Sequence, residues 1–207
     1  MHGGLGKLEI QDPKRGAILR CARAAFVAQG YAGAKIEPIA RDAGVSTATL
    51  YALFAGKSEL FAAVIDDVRL DFKRQMLRVQ CIEGDVRQQL TSFAECYAEF
   101  LSDPFVRSIL RLVLAERPRF QSVANRFFEK GREVIGSSLI SILTKHAGSG
   151  AVKPFDKPSW EAGQLMGMIE HPVFFVPLVT GGEVQPQRAP AKIAADAVET
   201  FLSRYAA

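Results

Sequence analysis

The chain has few of the residues from which catalytic and metal sites are built. Its three histidines and three cysteines are scattered through 207 residues, and no histidine stands at metal-ligand spacing to another histidine or a cysteine. The sequence contains neither a glycine-rich phosphate loop nor a nucleophile elbow. These absences argue against an enzyme, and they predict neither a metal nor a cofactor.

Long apolar runs and secretion signals are also missing. No run approaches the ~20 apolar residues of a membrane span, and residues 1–10 lack the hydrophobic segment of a signal peptide, so we expect a flexible leader there. The cysteines are odd in number and lack CxxC spacing, which favours buried thiols in a reducing compartment over disulfides. We therefore expect a cytoplasmic protein with no membrane partner.

Acidic residues are under-represented in only one part of the chain. Residues 1–57 contain eight Lys and Arg against four Asp and Glu, whereas residues 58–207 contain 18 of each kind. The whole formal net charge of +4 therefore lies in the first quarter of the chain. This excess suits an ordinary solvated face, and it also suits contact with a polyanion such as DNA.

Strand-like alternation is almost absent, and helical periodicity predicts an all-α fold. Asp12 before Pro13 and Ser46 before Thr47 are expected helix starts, while Gly30 is an expected stop. Pro172 and Pro177 predict a kinked or irregular segment. The predicted helices span 13–29, 35–43, 47–54, 58–80, 85–101, 104–116, 118–146, 160–170 and 191–205.

Two short helices joined by a glycine turn form a helix-turn-helix pattern, IEPIARDAGVSTATLYALF. On a helical wheel, Leu50, Leu53 and Phe54 fall on one side of the second helix, where we expect them to be buried. The opposite side carries small residues and one tyrosine: Ala48, Thr49, Tyr51 and Ala52. The pattern alone leaves open whether this side meets DNA or packs within an ordinary helical bundle.

A longer stretch of about 50 residues resembles the DNA-binding half of TetR-family transcriptional regulators. The stretch is RGAILRCARAAFVAQGYAGAKIEPIARDAGVSTATLYALFAGKSELFAAVI. The similarity runs in unbroken register through the A..F..GY, IA..AGVS, LY..F and GKSEL elements. It implies a helix-turn-helix domain over residues 12–57, followed by a larger helical ligand-binding and dimerisation domain over residues 58–207.

The resemblance also implies which residues contact a double-stranded DNA operator. Tyr51 and Lys57 match positions that grip phosphates, and Ser46 at the helix start offers a further phosphate contact. Positions that face the major groove are Thr47, Ala48, Thr49 and Ala52. Because this face has no Arg, Lys, Asn or Gln, we expect its discrimination between bases to be modest.

The sequence departs from the family pattern at three positions. Ala34 and Lys35 stand where hydroxyl residues commonly cap the second helix, so the cap is weakened, although Lys35 can supply a charge to a phosphate. Leu53 replaces a residue that is often histidine or arginine. These departures keep open an alternative, a helical small-molecule-binding protein whose DNA binding is weakened or lost.

A small-molecule pocket in the helical body is a further implication of the resemblance. Its effector is expected to be small and apolar or amphipathic. The candidate lining residues are Phe93, Tyr97, Phe100, Phe105, Leu112, Met166 and Ile169. For each of them, an ordinary core position is the more common interpretation. For Arg111 and Glu116, the sequence leaves open whether they are polar groups of the pocket or part of a solvated face.

The resemblance places a homodimer interface on the last two helices, at about 160–178 and 190–205. The candidate interface residues are Trp160, Leu165, Ile193, Val198, Phe201 and Leu202. A small helical enzyme is the remaining alternative, and Glu170-His171 is the pair that would have to support it. Such a pair more commonly marks a helix end.

Overall fold

The computed structural model of the protein describes residues 12–80 and 83–207; the expected leader and Cys81 lie outside these ranges. Over the described ranges the fold is all-α and contains no β-strand, as the sequence predicts. The helices are α1 (Pro13–Gly33), α2 (Ile36–Asp42), α3 (Thr47–Leu53), α4 (Lys57–Gln80), α5 (Val86–Ser102), α6 (Pro104–Glu116), α7 (Gln121–Gly148), α8 (Pro158–Glu170), α9 (Val176–Val179) and α10 (Pro190–Tyr205).

The two helix starts predicted at Asp12 and Ser46 are confirmed, each by a capping hydrogen bond. The Asp12 carboxylate accepts from the Lys14 amide at 2.9 Å, and Ser46 Oγ accepts from the Thr49 amide at 3.0 Å. The predicted stop at Gly30 is a kink, with φ 69° and ψ 173°, after which one more helical turn completes α1. A side chain at φ 69° would be strained, so this position favours glycine.

Two compact units divide the chain, one extending through Asp67 and the other beginning at Val68. The first unit has its own apolar core, in which the largest buried side chains are Ile18, Leu19, Phe26, Ile39, Leu50, Phe54, Leu60, Phe61 and Ile65. The predicted helix-turn-helix domain over 12–57 lies inside this unit. The predicted boundary after residue 57 coincides with the start of α4 and stays a prediction.

The second unit is built around α5, which packs against α7, α8 and α10. Its core combines aromatic and aliphatic side chains from all four helices: Leu90, Phe93, Tyr97, Leu139, Leu143, Leu165, Ile169, Val198 and Phe201. The end of the chain is tied to the loop after α7, since the Lys153 amide donates to the Tyr205 carbonyl at 2.8 Å.

The segment between α8 and α9 is more regular than its prolines predict. His171–Phe175 forms a π-helical turn that continues α8 directly into α9, closed by a bond from the Val176 amide to the His171 carbonyl. Pro172 lacks the backbone N–H that a continuous helix would use at this position, and this loss coincides with the change to π-helical hydrogen bonding. The predicted break is therefore a change of helical pitch.

The α7 start also differs from the sequence prediction. α7 begins at Gln121 rather than at residue 118. The preceding residues are held in a turn, because the amides of Arg119 and Phe120 both donate to the Glu116 carbonyl, at 3.0 and 2.9 Å.

One helix passes a length and composition test for membrane spans, which the sequence analysis does not predict. The continuous helix Pro158–Val179 is long and apolar enough, by length and composition, to cross a membrane, with 28% of its most apolar window buried. α3 and the first part of α4 pass the same test only as a pair bent by 66°. Charged residues interrupt the first segment at Glu161 and Glu170, which is why no uninterrupted apolar run is visible in the sequence.

Candidate functional site

Helix α3 has one buried and one exposed side. Leu50 and, just past the helix, Phe54 are buried in the first unit. The exposed residues are Thr47, Ala48, Tyr51 and Ala52, with Thr49 half-buried at the edge. Tyr51 is 51% exposed, so its hydroxyl is available to a partner. Leu53 is half-buried rather than fully buried, because it lies at the border between the two sides.

Two of the predicted DNA-binding hydroxyls at the start of α3 bond to each other. Ser46 Oγ lies 2.9 Å from Thr49 Oγ1 and also accepts the Thr49 amide. Such a cap contributes about 1 kcal/mol to the stability of a helix. Ser46 therefore fixes the start of α3, and its hydroxyl is occupied by this role.

Lys57, at the start of α4, is held in place by the end of α1. Its Nζ donates to the Ala32 carbonyl at 3.1 Å and lies 4.7 Å from the centre of the Tyr31 ring. A cation over an aromatic face is favoured by about 0.5–1 kcal/mol at exposed sites. The ammonium group is thus positioned by the Gly30 kink, a link that the GKSEL motif does not reveal.

The Tyr31 ring itself belongs to a buried aromatic cluster. It stacks on Phe26 at a centroid distance of 5.9 Å and meets Phe61 edge-to-face at 5.3 Å. Phe26 and Phe61 are also edge-to-face, at 5.4 Å. Because α1 and α4 both contribute rings to this cluster, the Tyr31 ring that contacts Lys57 is held firmly within the first unit.

Arg15 and Lys35 are two of the other cations in the first unit. The Arg15 guanidinium lies 5.4 Å from the centre of the Phe54 ring, which connects the start of α1 to the end of α3. Lys35 is exposed at the start of α2 and makes no side-chain capping bond, in agreement with the weakened cap expected from the sequence. The helix-turn-helix motif does not indicate the contact between Arg15 and the Phe54 ring.

The seven predicted pocket residues have different environments. Phe93, Tyr97, Leu112 and Ile169 are buried. Phe100 and Met166 are half-buried and pack against the core of the second unit, and Phe105 is half-buried in α6. Phe93 and Tyr97 stack at a centroid distance of 5.9 Å. Their role as pocket walls stays a prediction.

A polar pair lies inside this apolar region. The buried Tyr97 hydroxyl donates a hydrogen bond to the Glu170 carboxylate at the end of α8. Burial, followed by the charge of Glu170 and this hydrogen bond, raises the pKa of Tyr97. His171 is exposed and stacks on Phe175 at 5.7 Å, whereas Glu170 bonds to Tyr97. The α8 helix ends at Glu170, which agrees with the interpretation of Glu170-His171 as a helix end.

The raised pKa of Tyr97 gives the protein an alkaline stability limit. Below the ordinary tyrosine pKa of 10.0 the hydroxyl is protonated in both states, and above it the unfolded chain loses this proton first. Stability should therefore fall as pH rises above 10, by up to about 1.4 kcal/mol per pH unit from this group. Denaturant unfolding of the wild type and Tyr97→Phe, at about pH 8 and about pH 11, measures this difference.

Tyr205 offers a matched control, because its hydroxyl donates to the neutral amide of Gln164 at 2.8 Å. Tyr205→Phe should retain the wild-type loss of stability at high pH, whereas Tyr97→Phe should reduce it. An equal loss in all three proteins would show that Tyr97 does not set the alkaline limit.

The interface predicted on the last two helices is divided by the structure into inner and outer residues. Leu165, Val198, Phe201 and Leu202 are buried inside the chain itself, so they are unavailable to a partner. Ile193 is half-buried. Among the exposed apolar side chains of the continuous helix are Trp160 (67%), Phe175 (51%) and Val179 (62%). Apolar periodicity cannot separate these groups, because it marks both sets equally.

No group of His, Cys, Asp and Glu in the described ranges is arranged to hold a metal ion. Cys21 and Cys96 are free thiols, both half-buried. Burial, followed by the charge of Glu99, raises the pKa of Cys96, which makes this thiol less reactive.

Two family models match the sequence of this chain, and both belong to regulators of transcription. One, described as bacterial regulatory proteins of the tetR family, matches residues 18–64. The other, described as an AefR-like transcriptional repressor C-terminal domain, matches residues 88–207, more than half of the chain. The chain belongs to the TetR family of transcriptional regulators. It therefore has a helix-turn-helix DNA-binding domain followed by a helical C-terminal domain, and the TetR family is not an enzyme family.

The chain is similar to the HTH-type transcriptional activator FasR of Mycolicibacterium smegmatis. The two are 37% identical over 94 residues, which are 44% of this chain. The match spans only 42% of the length of that relative. The relative is named an activator, whereas the C-terminal family model is described as a repressor.

Solved TetR-family structures match the chain over nearly its full length. A TetR-family regulator from Mesorhizobium loti has 27% identity and a TM-score of 0.76, and the match covers 94% of this chain and 97% of that one. The flavonoid-responsive regulator FrrA has 25% identity and a TM-score of 0.71, with 93% and 97% covered.

Proposed function

We propose that this protein is a ligand-responsive repressor that binds a palindromic operator as a homodimer. The observation that carries the proposal is the two-sided α3, with Leu50 buried and Tyr51, Ala48 and Ala52 exposed. The function requires access to chromosomal DNA, which agrees with the cytoplasmic location expected from the sequence.

The exposed side of α3 suits contact with the major groove. Its alanines and threonines are small, so the helix can approach base edges closely, and their methyl groups can pack on thymine methyls. Tyr51, Lys57 and Lys35 would hold the phosphates and fix the position of the helix. One such helix has few groups that discriminate between bases, so specificity would depend on two correctly spaced half-sites.

The dimer would form through the outer side of α8 and α9. Trp160, Phe175 and Val179 are exposed apolar residues on this continuous helix. A second copy of the chain would cover them by two-fold symmetry, which is the commonest arrangement of soluble homo-oligomers.

The effector would be a small apolar or amphipathic molecule that enters the region between α5, α6 and α8. FrrA is named for its response to flavonoids, and this supports a small-molecule effector here. The Tyr97–Glu170 pair would provide polar groups within apolar walls. The effector would release the operator by binding more tightly to the conformation whose two α3 helices are wrongly spaced.

The DNA-binding role is tested by changing one charge. Lys57→Ala should weaken binding to operator and non-operator DNA alike, because a phosphate contact carries no sequence information. It should also reduce the slope of log affinity against log salt by about 0.9, the value for one phosphate. Fluorescence anisotropy over a salt series, with an operator selected from bound genomic fragments, measures both effects.

Two variants act as controls for this experiment. Tyr51→Phe should weaken binding to both DNAs while keeping the slope, because a neutral hydroxyl releases no counterion. Lys145→Ala removes the same charge from an exposed position in the second unit and should leave binding unchanged. An unchanged slope in Lys57→Ala would refute the phosphate contact. Failure of the wild type to bind any selected DNA would favour the small-molecule-binding alternative.

A further inference from the structure

A cavity lies in the second unit, at the corner where α5 ends and α6 begins. Its volume is about 340 Å³, within the size range of small-molecule sites. The walls include Ser102, Arg107 of α6, Val173 of the π-helical turn, the loop 185–189 and Pro190 at the start of α10. None of the seven predicted effector-pocket residues lines it.

Arg107 is the unusual member of this cavity, because it is a charged side chain with only 6% of its surface exposed. Its Nη1 donates to the carbonyls of Ser102 and Leu101, at 2.7 and 3.3 Å, and so caps the end of α5. A guanidinium has five N–H donors, and these two bonds use one of its three nitrogens. The bonds hold the charge in place without supplying an anion.

The electrostatic surroundings of Arg107 are unfavourable to its charge. Burial, followed by the neighbouring Arg111, lowers the pKa of Arg107, and Asp103 only partly opposes this. A buried charge is normally paired with an opposite one. Within the described residues, neither an Asp nor a Glu lines the cavity, so an anion bound there would complete the pairing.

Arg188 brings a second guanidinium to the cavity from the loop before α10. It pairs with Asp196, and this carboxylate is shared with Lys192, whose Nζ lies 2.8 Å from Asp196 Oδ1. Asp196 would therefore keep a cation if Arg188 turned towards a bound anion. Arg188 is largely exposed, which favours such a movement.

We propose that this cavity binds a small molecule through an oxyanion group, a carboxylate or a phosphate, held between Arg107 and Arg188. Guanidinium groups bind both oxyanions through paired, charge-assisted hydrogen bonds. Gln187 also lines the cavity and adds an amide donor. The ligand would join the α5–α6 corner to the loop that leads into α10, and this binding does not depend on the proposed operator or effector pocket.

The experiment is calorimetric titration of the full chain with two probes, inorganic phosphate and malonate, at constant ionic strength maintained with chloride. The wild type should bind at least one probe saturably, with one site per chain. Arg188→Gln and Arg107→Met should each weaken binding at least about tenfold, as expected for loss of one charge-assisted contact. The stronger probe identifies the oxyanion as phosphate or carboxylate.

Arg132→Gln is the matched control, because Arg132 lies on α7, is exposed and does not line the cavity. It should keep the wild-type affinity. Because Arg107→Met removes the α5 cap, loss of binding in this variant alone would not separate a lost contact from an unfolded corner. Arg107→Lys keeps the charge, and Arg188→Gln changes an exposed residue outside the cap, so these two variants test the anion contact independently of folding. Absence of saturable binding to both probes, or equal affinity in the wild type and Arg188→Gln, would overturn the proposal.

Discussion

Replacing Phe26 with alanine should destabilise the DNA-binding unit by about 3–5 kcal/mol, the usual cost of truncating a fully buried phenylalanine. Phe26 has no exposed surface and contacts two other rings, Tyr31 and Phe61. These aromatic partners are held by α1 and α4, so they can close only part of the space left by the missing ring. Most of the stability of a small unit can be lost in this way.

The same substitution should also weaken DNA binding where the unit remains folded. Tyr31 stacks on Phe26, and Lys57 Nζ lies over the Tyr31 ring. Loss of Phe26 would therefore allow the Tyr31 ring to move, and with it the support of Lys57, a predicted phosphate contact. Chemical denaturation, followed by operator titration under conditions that keep the variant folded, separates the two effects.

Phe128 is the matched control for Phe26, since it is the same residue type but 68% exposed on α7. Phe128→Ala should change stability by no more than about 0.5 kcal/mol, as is usual at surface positions. If Phe26→Ala also cost less than about 1 kcal/mol, the aromatic cluster would not be the main support of the first unit.

The second large effect is expected from the outer side of α8 and α9. Phe175→Asp combined with Val179→Asp should convert the proposed dimer to monomers, because each new carboxylate would be buried against the partner without an opposite charge. Operator affinity should then fall by about 10²–10⁴-fold, the gain normally provided by joining two binding modules. Sedimentation equilibrium and fluorescence anisotropy measure the two results.

Leu114→Asp tests whether this loss is specific to the proposed interface. Leu114 lies on α6 and is 58% exposed, similar to Phe175 and Val179. Its substitution introduces the same charge and should leave both the dimer and operator affinity intact. An unchanged molecular mass for the double variant would show that the two copies meet through another surface.

Much of the DNA-binding unit is predictable because its signals are local in sequence. A cap acts on the next turn of the same helix, as Asp12 does on Lys14 and Ser46 on Thr49. The two sides of α3 follow from helical geometry, since Leu50 and Tyr51 are adjacent in sequence and point to different sides. These relations span a few residues, so the sequence determines them directly.

The positions of the polar groups depend on contacts between distant residues. Lys57 reaches the Ala32 carbonyl 25 residues away, and Tyr97 meets Glu170 at a separation of 73. The Arg107 cavity likewise joins α6 to a loop about 80 residues later. No local periodicity records such pairings, because they arise only after the helices pack.

By itself, the sequence determined an all-α chain, the helix starts at Asp12 and Ser46, the two-sided α3 and the family resemblance. Tertiary structure decided which apolar residues face inward, burying Phe201 while leaving Trp160 and Phe175 exposed. It also kept the proline-containing segment helical as a π turn. The physical reason is that propensity and capping act within one or two turns, whereas burial is settled by whichever helix covers a given face.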